Sequence, residues 1–318
     1  MDRSAVIDEA RPSHLGATGI DVAPPAPSFA PTSLARWLRD LLVLSKIKIT
    51  LFVALSTAAG FFLATTGPLP AFTFFNALLG TALLGGAASI LNQVMEREID
   101  GRMDRTKARP LPAGRMQRSE ATAIGVFSAL VGFAALALGT NWLAGGLGAA
   151  SLLSYLLVYT PMKARSHIST VIGAVPGALP PLTGWAAARG DIGPGGLALF
   201  AILFLWQLPH FLAIARLYRE DYARAGLPVL PVADPEGGST ARAIIVNCAA
   251  IVPAGLLPSY FGVTGSAAFL GALLLGLGFL AFGAVAALRP GRRADRWLLY
   301  ASLVYLPALL IVFMLDKV

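Results

Sequence analysis

The feature that most constrains the fold is a series of long apolar stretches, each roughly 20 residues in length. They cover about 47–66, 72–94, 120–139, 142–160, 168–188, 195–215, 243–261, 266–288 and 297–315. A helix of this length crosses a hydrocarbon core of about 30 Å. The sequence therefore predicts an all-α, polytopic membrane protein with nine transmembrane helices. The fifth stretch is the least regular, because three prolines interrupt it: Pro176, Pro180 and Pro181.

Composition and charge agree with a membrane protein and argue against a nucleic-acid-binding one. Only 13% of the residues are charged, whereas a soluble domain has about 25%. The net charge of +8 comes from basic residues in short segments between apolar stretches. With the N-terminus inside, 23 of the 25 Lys and Arg residues fall on the cytoplasmic side. The positive-inside rule thus predicts a multi-pass protein with a cytoplasmic N-terminus. The expected location is the cell inner membrane.

The N-terminal region differs in composition from the rest. Residues 1–33 are rich in Pro and Ala, and we expect a disordered cytoplasmic tail there, followed by one membrane domain over 34–318. Segment 34–46 is predicted to be an interfacial amphipathic helix, with Trp37 and the leucines on one face and the basic residues on the other. The single Cys248 excludes a disulfide within the chain and a cysteine metal cluster.

The most highly charged part of the chain lies at the end of the second apolar stretch. Four oxygen-bearing side chains recur there every four residues: Asn92, Glu96, Asp100 and Asp104. On a helix, each step of four turns only about 40° around the axis, which predicts a row on one face. Three basic residues follow: Arg105, Lys107 and Arg109. Oxygen ligands suit a divalent cation and guanidinium groups suit phosphate, so this pattern predicts a metal–diphosphate site. The alternative is a solvated helix end with i,i+4 charge pairs.

Other polar residues are candidates for the same site. Lys46 and Lys163 lie at the same membrane level as the row, either as membrane anchors or as diphosphate contacts. Glu220 and Asp221 form a second acidic pair that either completes the metal site from across a cavity or belongs to a solvated loop. His210 lies inside an apolar stretch, where it either lines a substrate cavity or makes a helix–helix hydrogen bond.

Several motifs resemble one known family. Asn92-x3-Glu96-x3-Asp100 is similar to the first aspartate-rich motif of the UbiA superfamily of intramembrane prenyltransferases. The longer string from Glu96 to Pro112 resembles the haem-farnesylating branch of that superfamily. So do Pro209-His210-Phe211 and the run from Asp221-Tyr222 through Gly226 to Pro231. The resemblance extends from about residue 44 to the C-terminus. In the second aspartate-rich motif, this chain has tyrosine at 218 and 222, where the superfamily usually has aspartate.

The resemblance implies nine helices around a central cavity and transfer of a farnesyl group from farnesyl diphosphate to the 2-vinyl group of haem b. The product would be haem O, used by respiratory oxidases, and an association with haem A synthase or with oxidase assembly is consistent with this role. On this reading Mg²⁺ is held by Glu96, Asp100, Asp104 and Asp221. The diphosphate is held by Asn92, Arg105, Arg109, Lys46 and Lys163. His210 would orient the haem, through either its iron or a propionate.

Three alternatives follow from the same residues. A prenyltransferase acting on a quinone precursor or a chlorophyllide-type ring would share the chemistry and differ only in the acceptor. A transporter or channel also carries charges beside a cavity, but usually near the bilayer midplane, whereas this chain places nearly all of its charges on one face. A non-catalytic factor for oxidase assembly would leave the acidic row unexplained.

Overall fold

The computed structural model describes residues 33–318, which form one compact unit. The predicted tail therefore lies outside the described residues, apart from Ser33. The helices are α1 (Leu34–Leu44), α2 (Ile47–Ala64), α3 (Ala71–Met95), α4 (Arg97–Gly101), α5 (Arg118–Gly139), α6 (Trp142–Leu153), α7 (Thr160–Lys163), α8 (Ser169–Arg189), α9 (Pro194–Leu217), α10 (Arg219–Arg224), α11 (Leu230–Ala233), α12 (Gly238–Tyr260), α13 (Ser266–Leu288) and α14 (Arg292–Leu315).

A π-helical segment, Ser154–Tyr159, joins α6 and α7 into one continuous span, Trp142–Lys163. With these two helices counted together, nine helical spans among residues 33–318 are long and apolar enough to cross a membrane. Within the same residues the only β structure is an isolated bridge between Thr264 and Lys317. The predicted all-α, multi-pass architecture is therefore confirmed.

The proline-interrupted stretch forms a single helix, α8, at the centre of the bundle. All three of its prolines are buried, and 61% of its membrane window is covered by neighbours, more than in any other span. Pro180 has no N–H to donate to the carbonyl of Pro176, four residues earlier. The Ser151 hydroxyl donates to that carbonyl at 2.9 Å. A neighbouring helix thus satisfies the freed backbone group, which is how a membrane helix tolerates proline.

Helices α2 and α8 cross with their backbones in contact. A Cβ on Gly184 would lie 2.0 Å from the carbonyl oxygen of Thr57, and a Cβ on Gly60 would lie 2.0 Å from that of Pro181. Small residues allow such close approach between membrane helices. Because α8 also packs against α9, this crossing joins α2 to the cluster of buried side chains from α9, α12, α13 and α14.

Replacing Gly184 with alanine is expected to weaken this crossing. The added methyl group would collide with backbone rather than with a flexible side chain, and such overpacking costs about 1–3 kcal/mol. We expect a lower midpoint of thermal unfolding in detergent. Gly278→Ala in α13 is the matched control, since its Cβ would meet nothing within 4 Å. Equal midpoints for the two variants would contradict the crossing.

Alternation of the spans places four connections and α1 at one end of the bundle, here called the charged end: residues 96–117, 164–168, 218–237 and 289–291. Helix α1 packs on the first of these connections, where Arg115 pairs with Asp40 at 3.1 Å, and on the start of α5, where the Trp37 indole N–H donates to Glu120 at 2.5 Å.

The amphipathic helix α1 has the single apolar face that its sequence predicts. Trp37 and Leu41 pack beside the buried Leu44 against the protein, whereas Leu34, Leu38 and Leu42 are exposed. At about 100° per residue these six side chains fill one continuous arc of about 160°, and Arg36 and Arg39 lie outside it. One half of the apolar face therefore packs on the protein, and the other half is exposed.

Candidate active site

The acidic row begins as predicted but is shorter. Helix α3 bends at Glu96 (φ −95°, ψ 9°) and continues as α4, with i→i−4 hydrogen bonds from the N–H of Glu96 to Asn92 and from the N–H of Asp100 to Glu96, both at 2.8 Å. These three residues therefore stand one helical turn apart. The helix ends at Gly101.

Asp104 lies beyond that end, so its predicted place in the helical row is wrong. The carbonyl of Asp100 accepts the Thr106 hydroxyl at 2.7 Å. The N–H of Asp104, which a continuing helix would direct to that carbonyl, donates instead to Asp221 Oδ1 at 3.3 Å. Competition from these two side chains ends the helix. The Asp104 side chain is 58% exposed, and the Lys107 hydrogen bond followed by the charge of Arg224 lowers its pKa.

Glu96 lies at the centre of a buried polar cluster. Lys163 Nζ donates to both of its carboxylate oxygens at 3.1 Å, and the Asn92 amide donates to one of them at 2.9 Å. The Thr160 hydroxyl in turn donates to the side-chain oxygen of Asn92, Oδ1, at 2.9 Å. The carboxylate is thus both charge-paired and hydrogen-bonded, the condition under which a buried charge is tolerated. Lys163 is therefore an ion-pair partner within the site.

Asp100 and Arg109 form the second buried ion pair. The Arg109 Nη1 atom lies 2.7 Å from Asp100 Oδ2, and the side chains are 22% and 4% exposed respectively. The turns between α4 and α5 fold back to bring Arg109 over the carboxylate. This pair lies at the rim of an apolar bundle. Its guanidinium can bind a phosphate instead, and its carboxylate can bind a metal ion.

Asp221 connects the second loop to the first. Its carboxylate accepts the N–H of Asp104 at 3.3 Å and that of Arg105 at 3.4 Å, and its side chain is 9% exposed. Burial favours its neutral form. The hydrogen bonds from Arg224 and from these two N–H groups outweigh burial, so the pKa of Asp221 is lowered. Arg224 also pairs with Asp104 at 2.6 Å, which links both loops through one guanidinium.

Apolar packing supports the same junction. Met103 from the first loop is buried against Ala225 and Leu227 from the second. Gly226, between them, has φ +71° and ends α10 with the N–H of Leu227 donating to the Tyr222 carbonyl. Glycine adopts this left-handed conformation without steric cost, which makes it the usual residue at a helix C-terminus.

The tyrosines at 218 and 222 hold Arg105. Its guanidinium carbon lies 5.4 Å from the ring centre of Tyr218 and 5.9 Å from that of Tyr222. These distances are typical of cation–π contacts. The two positions where the superfamily usually has aspartates therefore orient a cation here. Sequence reasoning did not predict these contacts, nor the parts played by Thr160 and Arg224.

Lys46 joins α1 to α2 in a strained conformation. Its φ of 48° and ψ of 54° make it the one non-glycine residue with positive φ in the part of the chain that the structure describes. Such strain is costly and concentrates at functional sites. Burial first, and then the nearby charges of Arg109 and Lys163, lower the pKa of Lys46 to about 8. The half-buried ammonium of Lys46, beside the cations Arg109 and Lys163, is suited to binding an anion.

The low pKa of Lys46 predicts a pH dependence. An anionic diphosphate favours protonated Lys46, and this form is depleted in the free protein as the pH rises through about 8. We expect the KM for a prenyl diphosphate to rise by up to about 30-fold between about pH 7 and 9.5, since the protonated fraction of Lys46 falls about tenfold for each pH unit above its pKa. Lys46→Arg keeps its charge over this range and should flatten the profile. An unchanged profile in that variant would contradict the prediction.

His210 lies apart from the acidic groups. It is seven residues before the end of α9, about 10 Å below the charged end at the rise of a helix. Its Nδ1 atom is 2.8 Å from the Ser302 hydroxyl of α14, and its ring stacks on Trp206. The predicted helix–helix hydrogen bond is therefore present.

The structure brings most of the predicted site residues to the charged end, in three groups. Asn92, Glu96 and Lys163 form one, Asp100 and Arg109 the next, and Asp221 with the backbone of Asp104 and Arg105 the third. Between residues 33 and 318, no three His, Cys, Asp or Glu side chains form a group that could hold a metal ion. Metal binding by the predicted quartet of carboxylates stays a prediction.

Comparison with known proteins assigns the chain to a family. Residues 53–314 match the UbiA prenyltransferase family. The chain belongs to the UbiA prenyltransferase family. It is 44% identical over 289 residues to the protoheme IX farnesyltransferase of Solibacter usitatus, covering 88% of this chain and 99% of the relative. It is 42% identical to the protoheme IX farnesyltransferase of Myxococcus xanthus, covering 90% of this chain and 97% of that relative.

Solved structures of UbiA proteins have the same fold. A UbiA homolog from Aeropyrum pernix matches with a TM-score of 0.68 at 21% identity, over 83% of this chain and 98% of that one. A homolog from Archaeoglobus fulgidus, bound to GPP and Mg²⁺, matches with a TM-score of 0.58 at 16% identity, over 86% and 99%. The predicted UbiA-type fold and prenyltransferase class are confirmed, and the predicted farnesyl transfer to haem matches the names of the relatives.

Proposed function

We propose that this UbiA-family enzyme transfers the farnesyl group of farnesyl diphosphate to the 2-vinyl group of protohaem IX, giving haem O and diphosphate. The observation that carries the proposal is the junction of two charged loops at one end of an apolar bundle, in which Asp221 accepts the backbone N–H groups of Asp104 and Arg105. The junction brings carboxylates and cations together at one end of the apolar spans, and the prenyl tail would lie among those spans. The choice of haem as acceptor is supported by the relatives at 44% and 42% identity.

The residues at this junction fit a Mg²⁺ ion that is brought in by a diphosphate. Mg²⁺ is usually held by one or two carboxylates together with substrate phosphates and waters, rather than by an all-protein cage. Glu96 and Asp100 are buried carboxylates one helical turn apart, and each has a cationic partner that an added metal ion could replace. We propose that Glu96 and Asp100 hold Mg²⁺, with Asp104 and Asp221 completing its surroundings. When bound, Mg²⁺ neutralises part of the diphosphate charge.

The basic residues then act on the leaving group. Arg109 and Lys163, freed from their carboxylates, would donate to the diphosphate oxygens, and Lys46 adds a third positive charge. Tyr218 and Tyr222 already orient Arg105. The Asn92 amide, beside Glu96, would donate to the diphosphate as well. Stabilising charge that develops on the leaving oxygens lowers the barrier to breaking the allylic C–O bond.

The apolar bundle governs the next steps. Bond cleavage leaves an allylic cation, which is protected from water by the surrounding apolar side chains. The terminal carbon of the 2-vinyl group attacks farnesyl C1, forming a C–C bond and moving the positive charge to the carbon next to the porphyrin. Water adds to that carbon and releases a proton, giving the hydroxyethylfarnesyl product. His210 would orient the haem.

The charged end is proposed to face the cytoplasm of the cell inner membrane. The support is the excess of Lys and Arg in the segments that meet there. Farnesyl diphosphate would then enter from the cytoplasm and haem from the bilayer. An association with haem A synthase or with oxidase assembly stays a prediction, based on the use of haem O in respiratory oxidases.

The acceptor can be tested in membranes that contain this chain. They are supplied with Mg²⁺, farnesyl diphosphate and either haem b or 4-hydroxybenzoate, and the products are separated by mass. We expect the mass of haem O with haem b, and unchanged 4-hydroxybenzoate. Farnesylation of 4-hydroxybenzoate alone would favour the quinone-type alternative, and the absence of any diphosphate release would contradict prenyl transfer.

A further inference from the structure

The His210 imidazole is held by Ser302 of α14 and by Trp206, one turn earlier in α9. Its Nδ1 atom lies 2.8 Å from the Ser302 hydroxyl, and the Trp206 indole N–H donates to the Ser302 carbonyl at 2.7 Å. The Trp206 and His210 rings stack, with centres 5.1 Å apart and planes 24° from parallel. The ring therefore has one defined orientation between α9 and α14. Ser302 itself is fully buried.

The hydrogen bonds of Ser302 determine which nitrogen of His210 carries the proton. A serine hydroxyl has one proton to donate. Ser302 donates it to the carbonyl of Leu299 at 2.6 Å, since a carbonyl can only accept. The same hydroxyl must then accept at its contact with His210, so Nδ1 is the protonated nitrogen. In a neutral imidazole this leaves Nε2 with its lone pair.

We propose that Ser302 is a positioning residue that holds His210 as the Nδ1–H tautomer, so that Nε2 binds the iron of the haem acceptor. The inference rests on the proposed function, since it assigns the acceptor's contact. Histidine ligands to metals commonly donate their other ring N–H to an oxygen, which fixes the tautomer and the ring direction. The His210 side chain makes no other hydrogen bond with residues 33–318, so Nε2 has no partner there, and the residue is only partly buried.

The depth of His210 is suitable for this role. Trp206, one turn below His210, contacts Phe52 of α2 with ring centres 5.7 Å apart and planes 31° from parallel. Phe52 is six residues along α2 from Lys46, or about 9 Å below it, while His210 is about 6 Å above Trp206. His210 therefore lies within about one helical turn of the level of Lys46. Iron bound there would bring the porphyrin close to the level of the diphosphate.

The tautomer can be measured directly by ¹⁵N NMR on the full chain in detergent, because the sequence contains only three histidines. Subtraction of the His210→Ala spectrum identifies the His210 signals. We expect a protonated Nδ1 and an unprotonated Nε2 in the wild type, and a mixture of tautomers in Ser302→Ala. An Nε2–H tautomer in the wild type, or no change in Ser302→Ala, would overturn the proposal.

The iron contact is tested by titrating each variant with haem b and recording its absorption spectrum. We expect His210→Ala to lose the histidine-ligated spectrum and Ser302→Ala to bind haem about 10-fold more weakly, the usual effect of losing such a partner. Ser56→Ala is the matched control, since the buried Ser56 hydroxyl donates only to the Phe52 carbonyl; it should bind haem normally. A histidine-ligated spectrum in His210→Ala would overturn the proposal.

These outcomes separate the two proposals. If the wild type farnesylates haem while His210→Ala keeps the histidine-ligated spectrum, the iron contact is wrong and the function stands. If haem binds through His210 but its mass is unchanged by farnesyl diphosphate, the function is wrong and the contact stands. In both variants the binding of farnesyl diphosphate should match the wild type, because neither residue contacts the charged loops.

Discussion

Replacing Asp100 with asparagine is expected to lower the rate of prenyl transfer by about 10³-fold or more, since it removes a charge that stabilises the metal–diphosphate complex. The change keeps the shape of the side chain and its capacity to accept a hydrogen bond from Arg109, now 2.7 Å away. The loss therefore reports on charge rather than on packing. The measurement is the initial rate of farnesyl transfer to haem b in membranes with saturating Mg²⁺.

Glu98→Gln is the control for Asp100→Asn. Glu98 lies in the same short helix, α4, but its side chain is exposed and forms no hydrogen bond or ion pair with residues 33–318. We expect its rate to stay within about twofold of the wild type, as exposed substitutions usually have small effects. Near-normal turnover in Asp100→Asn would contradict the metal-ligand assignment.

Replacing Asp221 with asparagine is expected to have the second largest effect, a loss of about 10²-fold in rate. Asp221 holds the two loops together through the backbone N–H groups of Asp104 and Arg105 and through Arg224. An amide presents one acceptor oxygen instead of two, so one of these contacts must be lost. Misplacement of Arg105 and Asp104 would follow, and both kcat and the KM for farnesyl diphosphate should change.

The neighbouring acid provides a matched comparison. Glu220 is exposed and has no ion-pair partner among residues 33–318. We expect Glu220→Gln to retain nearly full activity. The sequence alone left open whether Glu220 or Asp221 acts in the site, and this result would favour Asp221. The reverse ranking of the two variants would show that the second acidic pair acts through Glu220.

The membrane spans could be predicted from sequence because their cause is local. A run of about 20 apolar residues is long enough to cross a bilayer whatever the rest of the chain does. The eighth stretch, predicted over 266–288, coincides with α13, and the first differs from α2 only at its end. Helix α8 was less clear, because the group that compensates for Pro180 is Ser151, on another span.

The candidate site could be predicted only in part, because its details depend on contacts between distant segments. The spacing of Asn92, Glu96 and Asp100 is a local property and gave their order correctly. The departure of Asp104 from that row depends on Asp221, 117 residues away. No local pattern indicates that Tyr218 and Tyr222 enclose Arg105. These are the positions where tertiary contacts override helix periodicity.

The central claim is that two distant loops form one site for Mg²⁺ and a prenyl diphosphate. Its most direct test is calorimetric titration of the purified chain in detergent with a slowly reacting farnesyl thiodiphosphate, with and without Mg²⁺. We predict Mg²⁺-dependent binding that is weakened at least about tenfold both by Asp100→Asn and by Asp221→Asn, and is unchanged by Glu98→Gln. Binding that is independent of Mg²⁺, or equally tight in both loop variants, would contradict it.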